Sequence, residues 1–169
     1  MNQTEYLINT LKLARHPEGG YFRETYRSAE TIDADHLPSR FVGARSLSTA
    51  IYFLLTEYEF SAFHRIRQDE IWHFHSGASM QIECIDEEGT LSTLKLGMDL
   101  ENGARPQQVI PAGSWFAAHI NADAENSHAL VTCTLAPGFD FDDLELPSRQ
   151  KLLAQFPQHR ELITHLTRR

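Results

Sequence analysis

Residues 60–77 carry the sequence FSAFHRIRQDEIWHFHSG, which combines two strand-like segments with two side chains capable of proton transfer. Apolar and polar positions alternate along both segments, as they do in strands that bury one face. On this alternation His64 shares a face with Ile66, and Glu70 is the first inward position of the second strand. If the two strands are adjacent and antiparallel in a barrel, His64 and Glu70 project into one pocket.

The rest of the chain repeats this pattern of short apolar strands separated by turn residues. Such segments recur every ~8 to 15 residues, which is typical of an antiparallel sandwich or barrel and not of alternating strands and helices. A first strand begins at Tyr21, and the later ones are predicted over residues 48–56, 61–66, 71–75, 80–86, 90–96, 107–110, 114–120 and 129–135. The sequence therefore predicts one mainly β domain over residues 1–169, with a barrel at about 18–146 and short helices at about 4–13 and 148–167.

The composition restricts the class of partner and the compartment. The 169 residues are 41% hydrophobic, and 23 acidic against 15 basic side chains give a net charge of −8. Such a surface repels phosphate backbones and anionic lipids, so we expect neither nucleic acid nor membrane as a partner. The N-terminus lacks the pattern of a signal peptide, and Cys84 and Cys133 lie in strand-like stretches typical of buried free thiols. We expect a cytoplasmic protein.

Five motifs occur in a fixed order: HPEGGYFRETYRS, STAIYFLL, FHRIRQDEIWHFHSG, QQVIPAGSWFAA and CTLAPGFDFDDLEL. Together they resemble a branch of the cupin superfamily that is catalogued as a domain of unknown function and is related in fold to the RmlC-type sugar epimerases. The resemblance runs from about residue 7 to 146. It implies a double-stranded β-helix, or jelly roll, that is usually a homodimer and binds a small molecule inside the barrel.

The resemblance also identifies the positions that hold metal in other cupins. The general cupin motif has two histidines, a glutamate and a later third histidine. This chain keeps His64, Glu70 and Gly77 at matching positions, but Ile66 stands where the second histidine belongs and Phe116 where the third belongs. We therefore expect no metal cofactor. If a divalent transition metal were bound, His64 and Glu70 would be its ligands, because His73, His75 and His119 have the opposite strand parity.

Without a metal, the predicted pocket favours proton transfer on a carbohydrate or sugar nucleotide. A histidine beside a carboxylate can act as a general base, and RmlC-type epimerases pair a barrel histidine with a tyrosine acid. The resemblance thus implies His64 as the base, and we expect Glu70 to orient it. We expect Tyr52 or Tyr26 to be the acid, because their strands border the predicted pocket.

Other side chains complete the predicted site. We expect Arg23 to bind an anionic group of the substrate, since a guanidinium suits carboxylate and phosphate. The aromatic side chains expected to form the pocket wall are Trp72, Phe74 and Phe116.

Two other functions are compatible with the same residues. One is a metal-dependent cupin enzyme, either an oxygenase or an isomerase. The other is a non-catalytic binding module in which His64 and Glu70 only satisfy each other's hydrogen bonds.

Overall fold

The secondary structure matches the predicted order of strands and helices. The computed structural model describes residues 2–120 and 127–168. Its strands are β1 (Ala14–Arg15), β2 (Tyr21–Arg27), β3 (Thr31–Ile32), β4 (Arg45–Ser46), β5 (Thr49–Thr56), β6 (Phe60–His64), β7 (Glu70–Gly77), β8 (Met80–Ile85), β9 (Leu91–Leu96), β10 (Gln107–Ile110), β11 (Trp115–Ile120) and β12 (His128–Leu135). The helices are α1 (Gln3–Leu11), α2 (Arg149–Gln155) and α3 (Arg160–His165), with short 3₁₀ turns at Ala34–His36, Phe141–Asp143 and Pro157–His159.

The strands form two main antiparallel sheets. The larger sheet has the order β1-β2-β5-β12-β7-β10, the smaller one has the order β6-β11-β8-β9, and β3 pairs with β4 in a separate ribbon. This is the predicted mainly β jelly roll with short helices near both ends. Among the described residues, no helix is long and apolar enough to cross a membrane.

The main core is formed by the alternate side chains that the two sheets turn toward each other. Trp72 of β7 is its centre, with ring centroids 5.5 Å from Phe53 and 6.4 Å from Phe116. Cys84 and Cys133 are both buried free thiols, as predicted. Burying a large apolar side chain contributes ~2–3 kcal/mol, so this interior is the principal source of stability.

A second apolar cluster lies where the smaller sheet meets the C-terminal helices. Phe63, Ile85 and Trp115 of the sheet pack against Leu152 of α2 and Ile163 of α3. The C-terminal segment also bonds directly to the sheet, because Phe63 N donates to Leu166 O at 2.9 Å.

The turn between β1 and β2 is what brings additional polar residues to the barrel. Gly19 and Gly20 adopt φ angles of 119° and 76°, which side chains other than glycine rarely tolerate. A Cβ on Gly19 would lie 2.2 Å from Phe60 O, so the turn fits tightly against β6. The backbone of Glu18 accepts a hydrogen bond from Ala62 N at 2.8 Å, which fixes residues 16–20 against that strand.

Candidate functional site

A narrow cavity of about 70 Å³ contains both residues on which the predicted site was centred. His64 at the end of β6 and Glu70 at the start of β7 line it, together with His16 and Glu18 from the β1–β2 turn. Most of the remaining wall is apolar, and Glu24 and Arg27 add a pair of charges. The cavity therefore places six ionisable side chains among aliphatic and aromatic ones.

The ion pair in this cavity joins His64 to Glu18. His64 Nε2 lies 2.9 Å from Glu18 Oε2, and both side chains are more than nine-tenths buried. The other ring nitrogen, Nδ1, lies 2.8 Å from Ala62 O and donates its hydrogen to that carbonyl. The partner of His64 is therefore Glu18, and not Glu70 as the spacing predicted, because the β1–β2 turn inserts an acid that the strand pattern does not reveal.

Charge attraction fixes the protonation of this pair. Burial by itself would lower the pKa of His64, but the charge and hydrogen bond of Glu18 raise that pKa above its ordinary value. Burial would likewise raise the pKa of Glu18, and the charge and hydrogen bond of His64 outweigh it and lower that pKa. An imidazolium and a carboxylate thus face each other near neutral pH.

Two further contacts hold Glu18. Ser61 Oγ is fully buried and donates a hydrogen bond to Glu18 Oε1 at 2.9 Å. His16 Nδ1 lies 3.6 Å from Glu18 Oε2 and accepts a hydrogen bond from Glu18 N at 3.4 Å. Glu18 is therefore fixed by its own turn and by β6.

Glu70 also lines the cavity, but its carboxyl group is not part of the His64–Glu18 ion pair. It is 7% exposed. His64, which the sequence predicted as the partner of Glu70, is hydrogen-bonded to Glu18 instead. Burial and the nearby negative charge of Glu18 raise the pKa of Glu70 to about 7, and the charge of His64 opposes them only in part. At neutral pH this group exists both as an acid and as a base.

The two predicted tyrosine acids and Arg23 are not part of the cavity lining. Tyr26 is 55% exposed, and Tyr52 is on the opposite face of β5 from Ile51, which does line the cavity. The guanidinium of Arg23 instead donates Nη1 to Leu11 O at 2.9 Å and thereby holds the end of α1.

A β-bulge in β2 explains which arginine faces the cavity. The register of β2 with β5 shifts between Glu24 and Tyr26, so the strand alternation inverts at that point. Arg27 consequently joins Glu24 at the cavity, where its Nε and Nη2 donate to the Glu24 carboxylate at 3.0 and 2.7 Å. Regular strand alternation without the bulge would place Arg27 on the same face as Arg23.

The three predicted wall aromatics belong to the core and do not line the cavity. Phe116 packs on the ring of His64 at a centroid distance of 4.0 Å. Trp72 is fully buried between Phe116 and Phe53, and Phe74 packs against the same cluster. They support the site from within the protein.

Comparison with known proteins agrees with the fold and with the motif pattern. The family model described as "Cupin superfamily (DUF985)" matches residues 5–147. The chain belongs to this cupin family. It is 33% identical over 147 residues to the uncharacterised protein YML079W of Saccharomyces cerevisiae, with 82% of this chain and 72% of that protein covered.

Solved structures extend the comparison. Protein SO0799 of Shewanella oneidensis is 42% identical with a TM-score of 0.88, and 99% of each chain is covered. A hypothetical protein of Leishmania major is 32% identical, also with a TM-score of 0.88, over 99% of this chain and 100% of the other. A mutant of the Bacillus subtilis oxalate decarboxylase is 17% identical with a TM-score of 0.53 over 90% of this chain and 36% of that one, a likeness of fold alone.

The metal site that other cupins have does not fit the donors present in this chain. Ile66 occupies one ligand position and lines the cavity, while Phe116 occupies another and covers His64. Both ring nitrogens of His64 already have partners. Over residues 2–120 and 127–168, no group of three or more His, Cys, Asp or Glu side chains is arranged to hold a metal ion.

The remaining barrel histidines do not supply the missing ligands. His73 Nε2 lies 3.1 Å from Thr134 Oγ1, and His75 bonds to Thr132, both on the outer face of the larger sheet. His119 Nε2 lies 3.6 Å from Glu83 Oε1 and does not line the cavity. Their strand parity therefore directs them away from the cavity, as the alternation predicted.

His16 and Glu18 are the site residues that sequence reasoning missed. Both lie in the motif HPEGG, whose proline and glycines indicate a turn and suggest an exposed loop. The available signal was the pair of adjacent glycines, since two consecutive positive φ angles allow a turn to pack closely against another strand.

Proposed function

We propose that this cupin is a metal-independent isomerase or epimerase that moves a proton on a carbohydrate or sugar nucleotide bound in the barrel. The observation that supports this proposal is the buried carboxyl of Glu70, which lines the cavity while His64 pairs with Glu18. Burial and the charge of Glu18 raise the pKa of this carboxyl to about 7. A general base is most effective when its pKa is near the working pH, because it then accepts and returns a proton with little cost. Burying a carboxyl without a paired cation is costly, which favours a functional role over a structural one.

We assign the base to Glu70 in preference to His64. A base needs a free lone pair, and both nitrogens of His64 are occupied by Glu18 and by the Ala62 carbonyl. His64 and Glu18 act instead as a fixed charge pair that shapes the electrostatics of the cavity. The negative member of that pair raises the pKa of Glu70 toward neutrality.

The proposed reaction is a proton transfer at the carbon next to a carbonyl. The Glu70 carboxylate removes a proton from that carbon, and the electron pair of the broken C–H bond forms the double bond of an enolate. Glu70 then returns the proton to the neighbouring carbon for isomerisation. For epimerisation the planar enolate turns over in the site, so that Glu70 returns the proton to its opposite face. No other reactant is consumed.

The size of the cavity limits which part of a substrate reaches Glu70. A volume of about 70 Å³ is far below the ~300 Å³ at which cavities begin to enclose a drug-sized ligand. Only the reacting carbons of a sugar would enter, with the rest of the molecule held outside. Arg27 lines the cavity in place of Arg23, and its remaining terminal nitrogen, Nη1, is the part that can meet an anionic substituent while Nε and Nη2 stay bonded to Glu24.

We also propose that the protein acts as a homodimer in the cytoplasm. Its resemblance to a family that is usually dimeric supports the first point. Two buried free thiols, which a reducing compartment preserves, support the second.

The test is hydrogen exchange into deuterated solvent. The protein is incubated in D₂O with dihydroxyacetone, glyceraldehyde, ribulose, fructose and a uridine-diphosphate 4-keto-sugar, and loss of the proton next to the carbonyl is followed by NMR. We expect exchange in at least one compound and a loss of ~100-fold or more in Glu70→Gln. Glu83→Gln is the matched control, since Glu83 is 6% exposed but lies outside the cavity.

Two results contradict this proposal. If wild-type protein and Glu70→Gln exchange the proton at equal rates, Glu70 is not the base. Binding of one of these compounds without any exchange supports the non-catalytic binding module.

A further inference from the structure

His16 is an unassigned side chain in the same cavity as Glu70. It lines the cavity and keeps 8% of its side-chain surface exposed. Its ring is held edge-on by Phe22 at a centroid distance of 4.5 Å and by Phe53 at 6.0 Å. A rigidly held imidazole at the wall of a small cavity is well placed to contact whatever enters it.

The local hydrogen bond determines which nitrogen of His16 carries the proton. Glu18 N donates to His16 Nδ1 at 3.4 Å, so Nδ1 is the acceptor and a neutral ring carries its hydrogen on Nε2. Among the described residues, no hydrogen-bond partner is seen for Nε2. This nitrogen therefore offers an uncommitted N–H donor.

Burial keeps this ring neutral. Desolvation is the main influence on the pKa of His16 and lowers it, and the positive charge of His64 acts in the same direction against the attraction of Glu18. If the ring were protonated, Nδ1–H would turn to the Glu18 carboxylate at 3.6 Å and lose its acceptor role. His16 is thus neutral and His64 is positively charged, although both contact Glu18.

We propose that His16 Nε2–H donates a hydrogen bond to the carbonyl oxygen of the substrate, while Glu70, which lines the same cavity, removes the proton from the adjacent hydroxyl-bearing carbon. The substrates are then α-hydroxy aldehydes and α-hydroxy ketones, and the intermediate is an enediolate. This inference rests on the function proposed above and names its second catalytic residue.

The step conserves atoms and charge. The C–H proton moves to the Glu70 carboxylate, the C–H electron pair becomes the new C=C bond, and the carbonyl π pair moves to the oxygen. The negative charge that develops on that oxygen is stabilised by the hydrogen bond from His16. Return of the proton from Glu70 regenerates the enzyme, and the hydroxyl proton passes between the two oxygens through the imidazole when the carbonyl changes position.

A neutral imidazole suits this task. A donor aimed at developing negative charge in a site of low polarity contributes more in the transition state than in the ground state. The pairing of a carboxylate base with a neutral histidine that polarises a carbonyl is an established chemical solution for enediolate formation. Loss of such a donor therefore lowers kcat more than it raises KM.

The role of His16 is tested by measuring deuterium exchange into dihydroxyacetone with wild-type protein, His16→Gln and His73→Gln. His73 lies on the outer face of the larger sheet and is the matched control. We expect His16→Gln to lower kcat for exchange by ~100-fold or more while KM changes less than about 3-fold, and His73→Gln to match the wild type. Thermal unfolding of each variant verifies that it is folded.

A second measurement uses unmodified protein. Imidazole ¹⁵N NMR at pH 7 is expected to show a neutral His16 with its proton on Nε2, and addition of glycolohydroxamate, a planar mimic of the enediolate, is expected to shift that resonance. An imidazolium at His16, or a proton on Nδ1, overturns the inference even if the variant does not fold.

The outcomes separate the two proposals. Exchange by the wild type that persists in His16→Gln overturns the role of His16 and leaves the role of Glu70 intact. Absence of exchange by the wild type in every compound tested overturns the proposed function, and with it the reaction assigned to His16.

Discussion

Two buried carboxyl groups in this protein have opposite surroundings. Asp143 is 3% exposed and Glu70 is 7% exposed, so both have lost nearly all contact with bulk water. Asp143 receives two hydrogen bonds from Arg45, at 2.8 and 2.7 Å, and a third from Gln68 at 2.7 Å. It is fully paired.

Glu70 differs in both charge pairing and free space. The nearest imidazolium is hydrogen-bonded to Glu18, and the neighbouring charge of Glu18 is repulsive. Glu70 also lines a cavity instead of meeting a guanidinium. Burial alone therefore does not identify a functional carboxyl. An acid paired with a guanidinium is a structural link, whereas one that faces a cavity without an ion-pair partner is available for chemistry.

The largest expected effect is on stability at the paired carboxyl. Asp143→Ala leaves the buried Arg45 guanidinium without its partner, so we expect the free energy of unfolding to fall by ~3–5 kcal/mol. Urea denaturation measures this loss, and the exchange rate per folded molecule should stay within about 3-fold of the wild type.

The double variant Arg45→Met with Asp143→Leu provides the control for that loss. It removes both charges together and should recover most of the stability, because no ion remains unpaired. A loss below ~1 kcal/mol in Asp143→Ala would contradict the structural role of the pair.

The second prediction concerns the pH dependence of stability at Glu70. Its folded-state pKa of about 7 is above the ordinary value of 4.5, so the folded protein binds this proton more tightly than the unfolded chain. The resulting stability is fully present below pH 4.5 and is lost as the pH rises through about 7. The two pKa values differ by the equivalent of ~3 kcal/mol.

The variant Glu70→Gln isolates this effect, since its amide does not ionise. We expect the free energy of unfolding of the variant, relative to the wild type, to rise by ~3 kcal/mol between pH 4.5 and pH 8. Urea denaturation at a series of pH values measures the difference. A difference that does not change with pH would show that Glu70 is not held protonated by its surroundings.

The third prediction concerns the support of Glu18. Ser61→Ala removes a buried hydrogen bond to a carboxylate, and we expect a loss of ~1–2 kcal/mol of stability with a decrease in exchange of only a few fold. Ser92→Ala, on an exposed position of β9, is the control. A stability unchanged within ~0.3 kcal/mol would mean that Ser61 does not hold Glu18.

The smallest effect is expected for the tyrosines that the sequence suggested as acids. Tyr26→Phe and Tyr52→Phe remove hydroxyl groups that lie outside the cavity, so stability should change by less than ~0.5 kcal/mol and exchange by less than about 2-fold. Deuterium exchange and thermal unfolding of both variants measure this. If either variant lowers the rate of deuterium exchange by ~100-fold, that tyrosine acts as the catalytic acid.

The strands, the parity of their side chains and the altered metal positions could be predicted from the amino-acid sequence. All eight strands predicted after residue 48 are present, with ends that differ by no more than about two residues. His64 and Glu70 line one cavity, and His73 and His75 point away from it. Successive side chains of a strand point to opposite faces, so the alternation of apolar and polar residues in the sequence is sufficient to predict which side chains share a face.

The pairing of the charged groups and the identity of the arginine at the cavity depend on the three-dimensional packing of the chain. The β1–β2 turn brings Glu18 to His64 through contacts between residues more than 40 positions apart in the chain, and these contacts leave no local pattern. The bulge after Glu24 inverts the strand parity and moves Arg27 to the cavity, although the letters around it alternate regularly. The packing of the β1–β2 turn on β6 and the β-bulge in β2 both change which side chains meet. Neither changes the alternation of apolar and polar residues from which strands are predicted.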